Sequence, residues 1–169
     1  LGLNQVVRVF AEVGERQRQL AELQAVADRQ REVGDYPAAW TSLERALVAA
    51  DQGSFLAKLS GRLDAPRLEL RKAQEDLAMA WLRDVRVPEG KTFADVVDPL
   101  LVVITRGSID AEGVREADLL AHLGWAYFLK SRDRGTDIDP ALSYEKALSI
   151  DPDNPYANAF WGHWIVWQR

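Results

Sequence analysis

The sequence contains no cysteine. That excludes a disulfide framework, a thiolate zinc site and a cysteine nucleophile, and it leaves the redox compartment open. Histidine is scarce: His122 and His163 are the two, so a metal site would have to be built largely from carboxylates. Asp151, Asp153 and Asn154 resemble the opening of a calcium loop, but the glycine and terminal glutamate that such a loop needs are missing. Long apolar runs are lacking too. The longest is Leu100 to Ile104, whereas a membrane-spanning helix needs about 20 apolar residues. No secretory leader is visible, although the first residue is Leu1 rather than methionine, as expected of a processed or shortened chain. There is no basic excess: 21 Lys and Arg stand against 26 Asp and Glu, a net charge of −5. That argues against nonspecific binding to nucleic acid or anionic membrane. A glycine-rich phosphate loop, a serine elbow and a His–Glu helix motif are all missing. The chain is therefore read as non-enzymatic, with no cofactor and no metal expected.

What is present is helical periodicity. The 169 residues are 47% hydrophobic and 28% charged, which suits one soluble domain with a real core. Alternating strand patterns are absent, so the fold class is all-α. Leu3, Val6, Phe10, Val13, Leu20, Leu23 and Ala27 recur at helical steps and predict one long first helix, with Gly14 a weak point. Gly34 to Pro37 reads as a turn, with Asp35 capping a helix that carries Trp40, Leu43, Ala46 and Leu47. Ser54 caps a short helix, and Leu68 to Val85 predicts a longer one. Thr92 and Asp95 resemble a capping box before a helix ending at Gly107. Pro99 lies inside that helix and is expected to kink or restart it. Further helices are expected from about Val114 to Ser131, from Pro140 and from Pro155. Asp133, Asp137 and Asp139 make an acidic insertion, read as a solvated loop or a partner-specific edge.

The most informative stretch is C-terminal. Leu120-x-x-Leu123-Gly124-x-x-Tyr127 matches the W-x2-L-G-x2-Y pattern of a tetratricopeptide first helix, with leucine in place of tryptophan. Tyr144 to Pro155, with Ala147, Leu148 and Asp151-Pro152, resembles the end of that family's second helix and its exit loop. Gly124 is expected to be small because the two helices of a pair cross closely there. Asn154 can cap the next helix, with Pro155 at its first position, and Ala157, Trp161 and Gly162 resemble the start of another first helix. A weaker copy lies upstream, where Leu43-Glu44-Arg45-Ala46-Leu47 repeats Tyr144-Glu145-Lys146-Ala147-Leu148 and Ala27 stands where Gly124 stands. The resemblance implies antiparallel helix pairs stacked as a short right-handed solenoid in a single domain. Residues 1–19 form a helical extension, 20–53 a repeat, 54–113 a divergent helix pair, 114–154 a repeat and 155–169 an aromatic helix. In the divergent stretch, a helix with Leu77, Ala78 and Trp81 is expected to pair with Phe93 to Arg106.

The resemblance further implies a concave binding face made from first helices. Gln24, Asp28 and Arg31 would contribute in the first repeat, and Ala121, Trp125 and Phe128 in the C-terminal one. Tyr156, Ala159 and His163 would extend the face. Such a groove suits an apolar or aromatic peptide or protein segment. Trp125 and Phe128 can equally pack on a neighbouring helix. Some family members clamp an acidic chaperone tail with basic and amide side chains; Asp28 on the corresponding face opposes a carboxylate ligand. The final helix is apolar nearly all round, which makes Trp161, Trp164 and Trp167 candidates for self-association into a homo-oligomer. The sequence leaves open a groove binder, an assembly domain, and a soluble regulatory appendage of a larger membrane-anchored protein. It leaves open a cytoplasmic or periplasmic location.

Overall fold

The computed structural model describes residues 2–135 and 138–169. Among them are eight α-helices and no strand. The chain divides into two compact units, residues 1–77 and 78–169, with the boundary inside a helix.

The first unit holds α1 (Leu3–Glu32), α2 (Tyr36–Asp51), α3 (Phe55–Leu59) and the first part of α4 (Asp64–Arg83). α1 runs unbroken through Gly14. Val13, Leu20 and Ala27 lie two turns apart on one face, and all three are buried. α2 lies against α1 and buries Ala39, Leu43, Ala46 and Ala50. The turn between them is closed at Gly34, whose φ of 78° suits a residue without Cβ. There the Gly34 N–H donates to the Arg31 carbonyl and the Asp35 N–H to the Gln30 carbonyl, both at 2.9 Å. This Schellman arrangement satisfies carbonyls that the helix end leaves over. Asp35 then caps α2 by accepting from the Ala38 N–H at 3.2 Å. Glu12 ties α3 to α1. Its carboxylate accepts from the Ser54 N–H at 2.7 Å and the Ser54 hydroxyl at 2.8 Å, and these bonds lower its pKa.

The second unit holds the rest of α4 with α5 (Phe93–Asp110), α6 (Gly113–Ser131), α7 (Ala141–Ile150) and α8 (Pro155–Trp167). α6 is its central helix, packed against α5, α7 and α8. The Thr92–Asp95 capping box opens α5 as expected. The helix does not restart at Pro99. Nor does it end at Gly107, which is buried and helical; it continues to Asp110. The acidic insertion is not merely solvated. Asp133 accepts from the Phe93 and Ala94 N–H groups at 2.9 Å each, closing the first turn of α5 from 40 residues away. Asp139 accepts from the Ala141 N–H at the start of α7. Asp137 lies outside the described residues.

Gly124 is the close-approach point between α6 and α7. A Cβ there would strike the Tyr144 ring, coming within 2.7 Å of Cδ1 and 3.0 Å of Cζ. Tyr144 and Ala147, on the facing helix, are fully buried. Ala27 on α1 and Leu43 and Ala46 on α2 are buried in one apolar cluster.

Candidate interaction surface

α8 is positioned by its first residue and its cap. Asn154 is fully buried. Its side-chain oxygen accepts from the Ala157 N–H at 2.9 Å, and Pro155 occupies the first helical position, where no N–H is needed. The Asn154 amide also donates to Asp118 on α6 at 2.7 Å. One side chain thus starts α8 and fixes that start against α6.

From this anchor an aromatic layer forms between α6 and α8. Trp125 stacks on Phe160 with ring centroids 4.7 Å apart, and its indole N–H donates to the Leu82 carbonyl at 2.8 Å. Phe128 meets the rings of His163, Trp164 and Trp167 edge-on at 5.0, 6.0 and 5.5 Å. Such edge contacts add to the burial of the rings themselves. Arg132 lies over Trp167, 5.7 Å from the ring centroid.

His122 sits beneath this layer, fully buried, 4.6 Å from the Tyr156 ring and 5.3 Å from Phe160. Both its nitrogens are engaged. Nδ1 lies 2.7 Å from the Asp118 carbonyl, and Nε2 lies 2.7 Å from Nη1 of Arg83. A guanidinium only donates, so Nε2 accepts and Nδ1 carries the proton. Burial pushes the pKa of His122 down to about 4; the Asp118 carbonyl opposes this, and the Arg83 charge adds to it. The imidazole is neutral at physiological pH, with no nitrogen left for a substrate.

The expected groove residues are divided between the two compact units, and each set is described within its own unit. Gln24, Asp28 and Arg31 belong to α1 of the first unit, the first half-buried and the others exposed. Ala121 and Phe128 are core residues, 0% and 2% exposed, because α6 is covered on several sides by its neighbours. Phe128 thus packs on its neighbouring helix α8. Trp125 and Tyr156 are half-buried within the aromatic layer; Ala159 and His163 are exposed on α8. Trp161 and Trp164 are half-buried. Ile165, Val166 and Trp167 stay open at 47%, 68% and 55% exposure, and α8 carries no charged side chain anywhere along its length. The apolar character of this helix is legible in the sequence, but Ile165 and Val166 do not stand out there beside the tryptophans, and neither does the Arg83–His122 contact. That contact joins positions 39 residues apart and has no local signal.

Among the described residues, no group of three or more His, Cys, Asp or Glu side chains is placed to hold a metal ion. No described helix is long and apolar enough to cross a membrane.

No family model, curated protein or solved structure matches the chain.

Proposed function

We propose that the chain is a non-catalytic protein–protein interaction module built from tetratricopeptide-like helix pairs. Its contact face is the outer edge of α8, and its ligand is an apolar or aromatic segment of another protein. The helix-pair reading is supported by Gly124 against Tyr144 in α6–α7 and by the corresponding Ala27, Leu43 and Ala46 in α1–α2. A right-handed solenoid is the arrangement these pairs adopt on that reading.

The observation that carries the binding role is the exposed, uncharged run Ile165–Val166–Trp167 on a helix whose other side is fixed by the aromatic layer. A preorganised apolar edge loses little entropy on binding, and aromatic anchors dominate such contacts. The absence of charge along α8 favours an apolar ligand over an acidic or basic one. A catalytic role lacks support, since both nitrogens of the buried His122 are occupied.

Selection from a displayed peptide library tests the proposal. Enriched peptides should be rich in leucine and aromatic residues. They should lose about tenfold or more in affinity for a Val166→Ser, Trp167→Ser variant. Peptides that bind the variant as tightly as the wild type, or the absence of any enrichment, would overturn it.

A further inference from the structure

A second apolar surface lies on the first unit, at the opposite end of the chain from α8. The stripe that α1 buries at Val13, Leu20 and Ala27 continues nearly three turns further toward its N-terminus as Leu3, Val6, Val7 and Phe10. There it is not covered: Leu3 is 80% exposed, Val7 59% and Phe10 51%. α3 lies alongside and adds Phe55 and Leu59, 74% and 67% exposed. Between the two helices runs a groove of about 320 Å³ with an almost wholly apolar lining, chiefly Val6, Val9, Phe10, Leu56 and Leu59.

We propose that this α1–α3 face is a homodimer interface, and that its occupant is the same face of a second copy. Three features favour a copy over another partner. The first is shape. The same two helices supply both the groove and the exposed Leu3 and Phe55, each within three residues of a groove-lining position, so a two-fold axis can set each copy's Leu3 and Phe55 against the other's groove. An isologous interface requires just this self-complementarity.

The second is area. Two largely exposed phenylalanines and four aliphatic side chains leave on the order of 600 Å² of apolar surface, close to the roughly 800 Å² per partner of a stable interface. It is also at the upper end of what an isolated monomer leaves bare.

The third is charge. The chain as a whole carries −5, which opposes association of copies. Up to Gly14, however, the sequence has one acid, Glu12, and its carboxylate is held by Ser54. Arg62 lies over the Phe10 ring, 4.3 Å from its centroid, and adds a cation at the rim. The acidic excess that would drive copies apart is therefore absent from this face.

Sedimentation velocity across a concentration series tests the proposal. The wild type should run at twice the chain mass. A Leu3→Glu, Phe55→Glu variant should dissociate at least about tenfold more readily. Both positions are mostly exposed, so its helicity and thermal midpoint should match the wild type. The chain has no native thiol, so Val7→Cys places a single reporter on the face. Mild oxidation should link it into disulfide-bonded dimers, and it should not link Val48→Cys, an exposed position on α2. A monomer at every concentration overturns the proposal. So does a dimer that survives Leu3→Glu, Phe55→Glu, or one that is lost instead on Trp167→Ser.

Discussion

At the residue scale, Gly124 and Tyr144 are a matched pair: one has no Cβ because the other's ring occupies the space. Gly124→Ala should destabilise the protein by about 1–3 kcal/mol in urea unfolding, the usual effect of overpacking. Adding Tyr144→Leu should recover part of the loss, because the two sites share one contact. Tyr144→Phe should act in the opposite direction. The hydroxyl is buried without a hydrogen-bond partner, and burial raises its pKa. Deleting it removes a desolvation penalty, so a gain of about 1 kcal/mol is expected.

His122 makes stability depend on pH. Its pKa falls from 6.5 to about 4 on folding, so the unfolded chain takes up a proton that the folded chain refuses. Its contribution is complete above pH 6.5. It declines as pH falls, reaching a loss of about 3 kcal/mol below pH 4. Arg83 from α4 and Asp118 from α6 face the ring, with Tyr156 from α8 against it in an edge contact. The lowered carboxylates of Glu12 and Asp95 lose their contributions only at more acidic pH, below ordinary values of 4.5 and 3.8. Urea midpoints between about pH 7 and pH 5 therefore isolate His122. His122→Gln should flatten the slope there, and an unchanged slope would assign it to another group.

At the element scale, the helix starts were readable because a cap and its partner lie within one turn. Asp35, Ser54, Thr92 with Asp95, and Asn154 all cap where the sequence places them. The close packing at Gly124 was readable for a related reason: a glycine inside an apolar stripe needs a steric cause. Three features were not readable. Asp133 closes α5 across 40 residues, so only the folded chain reveals its role. Gly107 looks like a helix stop, yet burial of its helical backbone outweighs its weak propensity. Phe128 lies off the main stripe of α6, and helical spacing alone cannot distinguish a groove wall from a contact with α8.

The cap of α8 yields a prediction at this scale. Asn154→Ala removes the bond to the Ala157 N–H and leaves Asp118 without its amide donor. A loss of about 2 kcal/mol is expected from the cap and the stranded partner together. Asn154→Asp keeps a capping oxygen but sets a carboxylate against Asp118. At neutral pH it should fail to restore wild-type stability, whereas a cap acting alone would be restored.

At the scale of the whole molecule, the described residues include an exposed apolar face in each compact unit. These faces differ in kind. The α1–α3 face combines a groove with projecting side chains, which suits a copy of itself. The α8 edge is three exposed consecutive residues, whose area falls well short of the roughly 800 Å² per partner that a stable dimer uses; it suits a short segment instead. Two faces with different partners should be separable by mutation. Leu3→Glu, Phe55→Glu should yield a monomer that keeps wild-type affinity for α8-selected peptides. Val166→Ser, Trp167→Ser should yield a dimer that binds those peptides about tenfold or more weakly. The combined variant should show both losses with no further change, the additivity expected of two sites that act independently. A peptide affinity that falls when the dimer is broken would instead make the α8 site a product of assembly, and the two roles would be one.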